Sequence, residues 1–175
     1  MVRIIVAFTA LLFGFAGSAA AQLSSNGGPI QVEADKGEVL ERDKRAIYTG
    51  NVDVTQGDAR LRAARVTVNY DGVTGQTGSG FGNLTTIVAE GEVFYVTPSL
   101  KATGTKGTYD ARNETILLEG NVILERCGDV ATGERLLLNL RDGRSVLGQE
   151  SGGRITMVLT PNGEGQTEGQ PEGCE

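Results

Sequence analysis

Paired carboxylates are the first groups in this chain that suggest chemistry: Glu90 with Glu92, and Asp53 with Asp58. Two carboxylates flanking a scissile bond are what glycoside hydrolysis requires. A chain with 22 acidic residues produces such pairs by chance, and no aromatic subsite accompanies either one. Histidine is absent from all 175 residues. That removes Ser-His-Asp and Cys-His catalysis, histidine-ligated zinc and histidine pH switching together. Arg60, Arg62 and Arg65 form the densest basic group, and solvated strand faces account for them. With 16 basic residues against 22 acidic ones the net charge is −6, which argues against nucleic acid as a partner. These residues predict a protein that is not an enzyme and holds no metal and no cofactor.

The N-terminus reads as a targeting segment. Arg3 gives a positive start, Ile4 to Phe15 is an uncharged apolar run of 12 residues, and Ala19-Ala20-Ala21 fits a signal-peptidase site. The run is short for a bilayer span. Residues 1–21 are therefore expected to be a cleaved signal peptide, which leaves an exported, acidic mature chain starting at Gln22. In an oxidising compartment the two cysteines, Cys127 and Cys174, are expected to pair, with two unpaired thiols as the alternative. Residues 162–175 are Gly, Glu, Gln and Pro with almost no apolar content, the composition of a flexible tail.

Between these ends the pattern is strand after strand. Ile30, Val32 and Ala34 alternate with polar neighbours, as do Ala46, Tyr48, Val52 and Val54, then Ala59, Leu61 and Ala63, then Val66, Val68 and Tyr70. Asp71-Gly72 is a hairpin dipeptide, and residues 74–83 form a glycine-rich loop. No apolar helical periodicity persists, so helices should be minor or absent. A repeat runs through the strands: Gly50-Asn51-Val52, Gly91-Glu92-Val93 and Gly120-Asn121-Val122, with an alanine in the next strand each time, at Ala63, Ala102 and Ala131. Recurrent units of this size point to stacked strands that bury one continuous interior, with glycine where the chain bends sharply. The expected fold class is all-β, a rolled or folded-over antiparallel sheet spanning residues 22–161.

Ordered along the chain, these segments carry a specific resemblance. Pro29-Ile30-Gln31-Val32-Glu33-Ala34-Asp35, Tyr48 to Gly57, Arg62 to Val66, Leu118-Glu119-Gly120-Asn121-Val122 and Arg154 to Pro161 resemble the LptA/OstA-like family of periplasmic lipopolysaccharide-transport bridge proteins. The resemblance covers roughly residues 29 to 161. It implies a twisted antiparallel β-jellyroll, an OstA-like folded-over sheet, with an open hydrophobic groove. It also implies that lipopolysaccharide is held by its acyl chains and carried from inner to outer membrane by proteins stacked head to tail. The implied partners are lipopolysaccharide, an inner-membrane-anchored transport partner, an outer-membrane β-barrel assembly partner and further copies of the chain. The implied location is the periplasm.

Lipid contacts in the family match Ile30, Val32 and Phe94. Strand alternation adds Ala34, Tyr48, Val52, Val54, Leu61, Val66, Val68, Val122, Leu124, Leu136, Leu138, Ile155 and Met157 to the expected groove. Few aromatics fill that inward set, so room for alkyl chains is expected. Each buried methylene contributes about 0.8 kcal/mol, so one twelve-carbon chain gives on the order of 10 kcal/mol before ordering costs. Ile30 and Val32 at one end, and Thr156 and Val158 at the other, are the expected assembly edges. The competing reading is an exported structural or adhesive β-solenoid whose core is simply filled.

Overall fold

The computed structural model describes Leu23 and residues 28–71, 82–148 and 154–160. The expected signal peptide, most of the glycine-rich loop and the tail from residue 162 lie outside these residues. Asn83, placed in that loop from sequence, instead opens a strand.

Among the described residues ten strands follow one another: β1 (Gln31–Glu33), β2 (Lys36–Leu40), β3 (Arg45–Gln56), β4 (Ala59–Asp71), β5 (Asn83–Thr97), β6 (Leu100–Asp110), β7 (Thr115–Arg126), β8 (Asp129–Asn139), β9 (Ser145–Gly148) and β10 (Thr156–Val158). A 3-10 turn at Glu41–Asp43 is the one helical element among the described residues. From β3 to β8 the strands form an antiparallel meander, so the sheet is all-β and unclosed. Its two borders are each made of two short strands. β1 and β2 both pair with β3, while β9 and β10 both pair with β8.

Every long strand breaks near its middle, where the register between neighbours shifts by one residue. The break divides the sheet into two leaves. The first holds 45–49, 65–71, 83–90, 106–110, 115–119 and 135–139, bordered by β2 and β9. The second holds 52–56, 59–63, 93–97, 100–103, 122–126 and 129–132, bordered by β1 and β10. The leaves fold face to face: Tyr95 and Leu100 of the second leaf line the same cleft as Leu138 and Leu140, which belong to or follow the first.

The repeat glycines make the fold. Gly50-Asn51, Gly91-Glu92 and Gly120-Asn121 lie at the break in β3, β5 and β7, and all six residues have positive φ, from 43° to 80°. Such backbone is open to glycine, tolerated by asparagine and costly for most other residues. Each pair places one extra residue opposite β4, β6 or β8, the arrangement of a bulge, which bends the strand. In β3, β5 and β7 the buried positions keep their parity across the break; in β4 they change, from Leu61 and Ala63 to Val66. Gly91 also has no room for a side chain, because a Cβ there would lie 2.9 Å from that of Ala64. Gly91→Ala is expected to cost about 2 kcal/mol from left-handed backbone and overlap combined, read as a lower urea midpoint. Gly148→Ala, with open space around it, is the control and should stay within about 0.5 kcal/mol.

Between the leaves lies a single apolar core. Val52, Val54, Val66, Ile87, Val93, Leu118, Val122 and Leu136 are all at most 1% exposed. Leu23 joins it: its N–H donates to Gln56 Oε1 and its carbonyl accepts from the Tyr95 hydroxyl at 3.0 Å. Gln56 Nε2 donates to the Gly28 carbonyl at 2.8 Å, so this buried amide is satisfied on both sides. Burial of Tyr95 pushes its phenol well above the ordinary value.

Candidate functional site

Of the residues expected in a groove, the structure brings most to one inner surface. Val52, Val54, Leu61, Val66, Val122, Leu136 and Leu138 are fully buried there. Ile30, Val32, Tyr48, Val68 and Leu124 are half-buried and pack against the same core. Three departures stand out. Phe94 lies between the inward Val93 and Tyr95 on β5, so strand alternation turns it outward, and it is 46% exposed. Ala34 follows the end of β1 and is exposed. The roll is also better filled than the scarcity of aromatics suggests, since Tyr95 and Tyr109 both lie inside it at 3% and 2% exposure.

Space opens at the β8 side. A pocket of about 520 Å³ is lined by Leu124, Ala131, Leu147, Ile155 and Met157, with Arg126, Cys127, Asp129 and Ser145 around them. Ile155 and Met157 are 49% and 57% exposed, so they border this mouth rather than the interior. A second cleft of about 310 Å³, between the free ends of the two leaves, shares Arg126 and Ser145 with the first. The first is an apolar recess, and the second adjoins it at the surface. Sequence reasoning missed Leu147, whose strand β9 is only four residues long.

Of the four paired carboxylates, Asp58 lines the second cleft, and Asp53, Glu90 and Glu92 line neither opening. Asp53 sits on β3 and is hydrogen-bonded by Arg60, whose Nε lies 2.8 Å from Oδ1, while Arg62 stands 3.9 Å away. The Arg60 hydrogen bond holds the Asp53 carboxyl below its ordinary range, with the positive charges of Arg60 and Arg62 adding to it. A general acid needs the opposite shift. Glu90 pairs with Arg65 at 3.9 Å on the surface. Among the described residues no cluster of potential metal ligands is present. No helix of the described residues is long and apolar enough to cross a membrane.

Cys127 and Gly128, with φ of 52° and 90°, form the two-residue turn between β7 and β8. Cys127 is disulfide-bonded; Cys174, its expected partner, lies outside the described residues. Thiol labelling of the unfolded, unreduced protein is expected to find no reactive cysteine, and two reactive thiols would refute the pairing.

Comparison with known proteins follows this geometry closely. Residues 31–144 match the family model described as LptA/(LptD N-terminal domain) LPS transport protein. An uncharacterized protein of Rhizobium meliloti is 36% identical over 138 residues, covering 78% of this chain and 74% of that protein. The lipopolysaccharide export system protein LptA of Escherichia coli is 26% identical over 159 residues, covering 83% of this chain and 81% of its own. The chain also matches 15% of the length of the LPS-assembly protein LptD of Vibrio cholerae, at 30% identity over 136 residues. Among solved structures, LptH of Pseudomonas aeruginosa superposes with a TM-score of 0.66 at 25% identity, over 76% of this chain and 96% of that one. LptH is described as the LptA-homologous periplasmic component of a lipopolysaccharide transport device. With a superposable fold and a family match over most of its described length, the chain belongs to the LptA/LptD N-terminal domain family of LPS transport proteins.

Proposed function

We propose that this protein works in the periplasm, binds lipopolysaccharide by its acyl chains and forms part of a bridge that carries it from the inner to the outer membrane. The observation that carries this reading is the apolar recess at the β8 end, continuous with the inner surface of the roll. An acyl chain entering there meets Leu124, Leu147 and Met157 first and the buried valines and leucines beyond. Because the middle of the roll is packed, a chain can advance only as the two leaves part. The net gain per methylene is then smaller than full transfer from water, because contacts between the leaves are given up. Weak, similar binding along the path suits cargo that must slide and not lodge. The membrane-anchored and outer-membrane partners, and head-to-tail stacking, belong to the same proposal and use the two open borders of the sheet.

The filled middle favours one other reading, an exported structural or adhesive protein with an ordinary core. Native mass spectrometry of protein exposed to lipopolysaccharide, together with photo-crosslinking from a probe at Val32 in cells, separates the two. Bound lipopolysaccharide and an adduct at Val32 are expected. Neither would appear for a filled structural roll.

A further inference from the structure

Arg126 and Arg144 are 18 positions apart in sequence and show no motif, yet they line the same cleft from opposite leaves. Arg126 ends β7 in the second leaf; Arg144 sits in the turn that leads from β8 into β9 in the first. That turn is held at both of its backbone groups. The Arg144 N–H donates to Asp142 Oδ1 at 3.0 Å, and its carbonyl accepts from the Asn139 N–H at 2.8 Å. Neither guanidinium has an ion-pair or hydrogen-bond partner among the described residues, whereas Arg45, Arg60, Arg62, Arg65, Arg112 and Arg141 each face a carboxylate. Asp58 is the one carboxylate lining the cleft, and Asp129, beside Arg126 in the neighbouring pocket, accepts from the Thr160 N–H at 2.8 Å.

Two unpaired, planar cations over an apolar floor of Leu100, Leu138 and Leu140 suit an anion that is attached to something apolar. Guanidinium matches phosphate oxygens with paired donors. We propose that Arg126 and Arg144 form a clamp for the phosphate of a phosphorylated acyl lipid whose chains occupy the adjoining recess. The inference rests on the lipid-binding reading above and gives it a headgroup site. Because the two arginines stand on different leaves, a bound phosphate bridges the free ends of the roll and holds the cargo at its mouth, while the overall negative charge of the chain repels phosphate elsewhere.

The test compares lipid A carrying its phosphates with the same lipid A dephosphorylated, acyl chains unchanged, bound to the full-length mature protein. The parent protein should prefer the phosphorylated form by about fivefold or more, as expected for charge-assisted hydrogen bonds at a partly open site. The double variant Arg126→Gln/Arg144→Gln should lose that preference and bind the two forms alike. Arg42→Gln, in the 3-10 turn, should change neither. Inorganic phosphate in excess should compete poorly, because it lacks the chains. Equal binding of both lipids by the parent, or a preference surviving in the double variant, overturns the clamp alone. Binding of neither lipid overturns the lipid reading and the clamp with it, and full displacement by inorganic phosphate shows a free-anion site instead.

Discussion

Leu124→Asp is expected to fold and to lose at least about tenfold in lipopolysaccharide binding, whereas Val54→Asp is expected not to fold at all. Both place a carboxylate on the inner surface, but at different depths. Val54 is 1% exposed in the packed middle, where an unpaired charge costs several kcal/mol against a total stability of about 5–15 kcal/mol for a domain. Leu124 is half-buried at the wall of the 520 Å³ pocket, where an added carboxylate stays hydrated in the apo protein. The charge then has to be buried only when an acyl chain arrives, so the penalty falls on binding and not on folding. Circular dichroism and denaturation establish the fold of each variant, and lipid co-purification reads the binding. If Leu124→Asp folds and binds like the parent, the mouth at the β8 side is not the route of entry.

The contrast between those two sites also marks where the sequence was legible. Alternation identified Val52, Val54, Leu61, Val66, Val122, Leu136 and Leu138 as inward, because a residue on a half-buried strand reveals its face by its neighbours. The Gly-Xaa repeat pointed to sharp bends, and left-handed backbone at Gly50, Gly91 and Gly120 is the reason those positions are glycine. Phe94 faces outward because the alternation with Val93 and Tyr95 sets its side of the sheet, which a family correspondence does not report. Ala34 failed because β1 ends one residue earlier, at Glu33. The borders were partly hidden: β2 and β9 are short and carry little period-two signal, so each edge reads as one strand when it is two. The density of the middle was hidden as well. How far two leaves close on each other is a property of the fold angle, which residue order along one strand does not encode. For the same reason Arg126 and Arg144 look unrelated until the leaves face each other.

Assembly is expected to depend on the border formed by β9 and β10. Soluble sheets guard their edges with charge, proline or bulges. The opposite border carries Glu33 in β1 and Lys36 and Glu38 in β2, whereas Ser145–Gly148 and Thr156–Val158 contain no charged residue. Val146, Met157 and Val158 are 45%, 57% and 61% exposed, an apolar and unguarded rim. Such an edge suits addition of another strand, and a strand added there extends the inner surface without a break. Along β10, adjacent N–H groups alternate, one toward β8 and the next toward solvent. Met157→Pro and Val158→Pro therefore remove different donors. The substitution at the outward N–H should abolish concentration-dependent self-association while the folded monomer survives. The one facing β8 should cost about 1 kcal/mol or more of stability, because it deletes a bond within the sheet. Sedimentation velocity over a range of concentrations reads the first effect, and denaturation the second. A parent protein that stays monomeric at every concentration and binds neither membrane partner would rule out strand addition at this border. An outward proline that leaves association intact would move the contact to some other surface of the molecule.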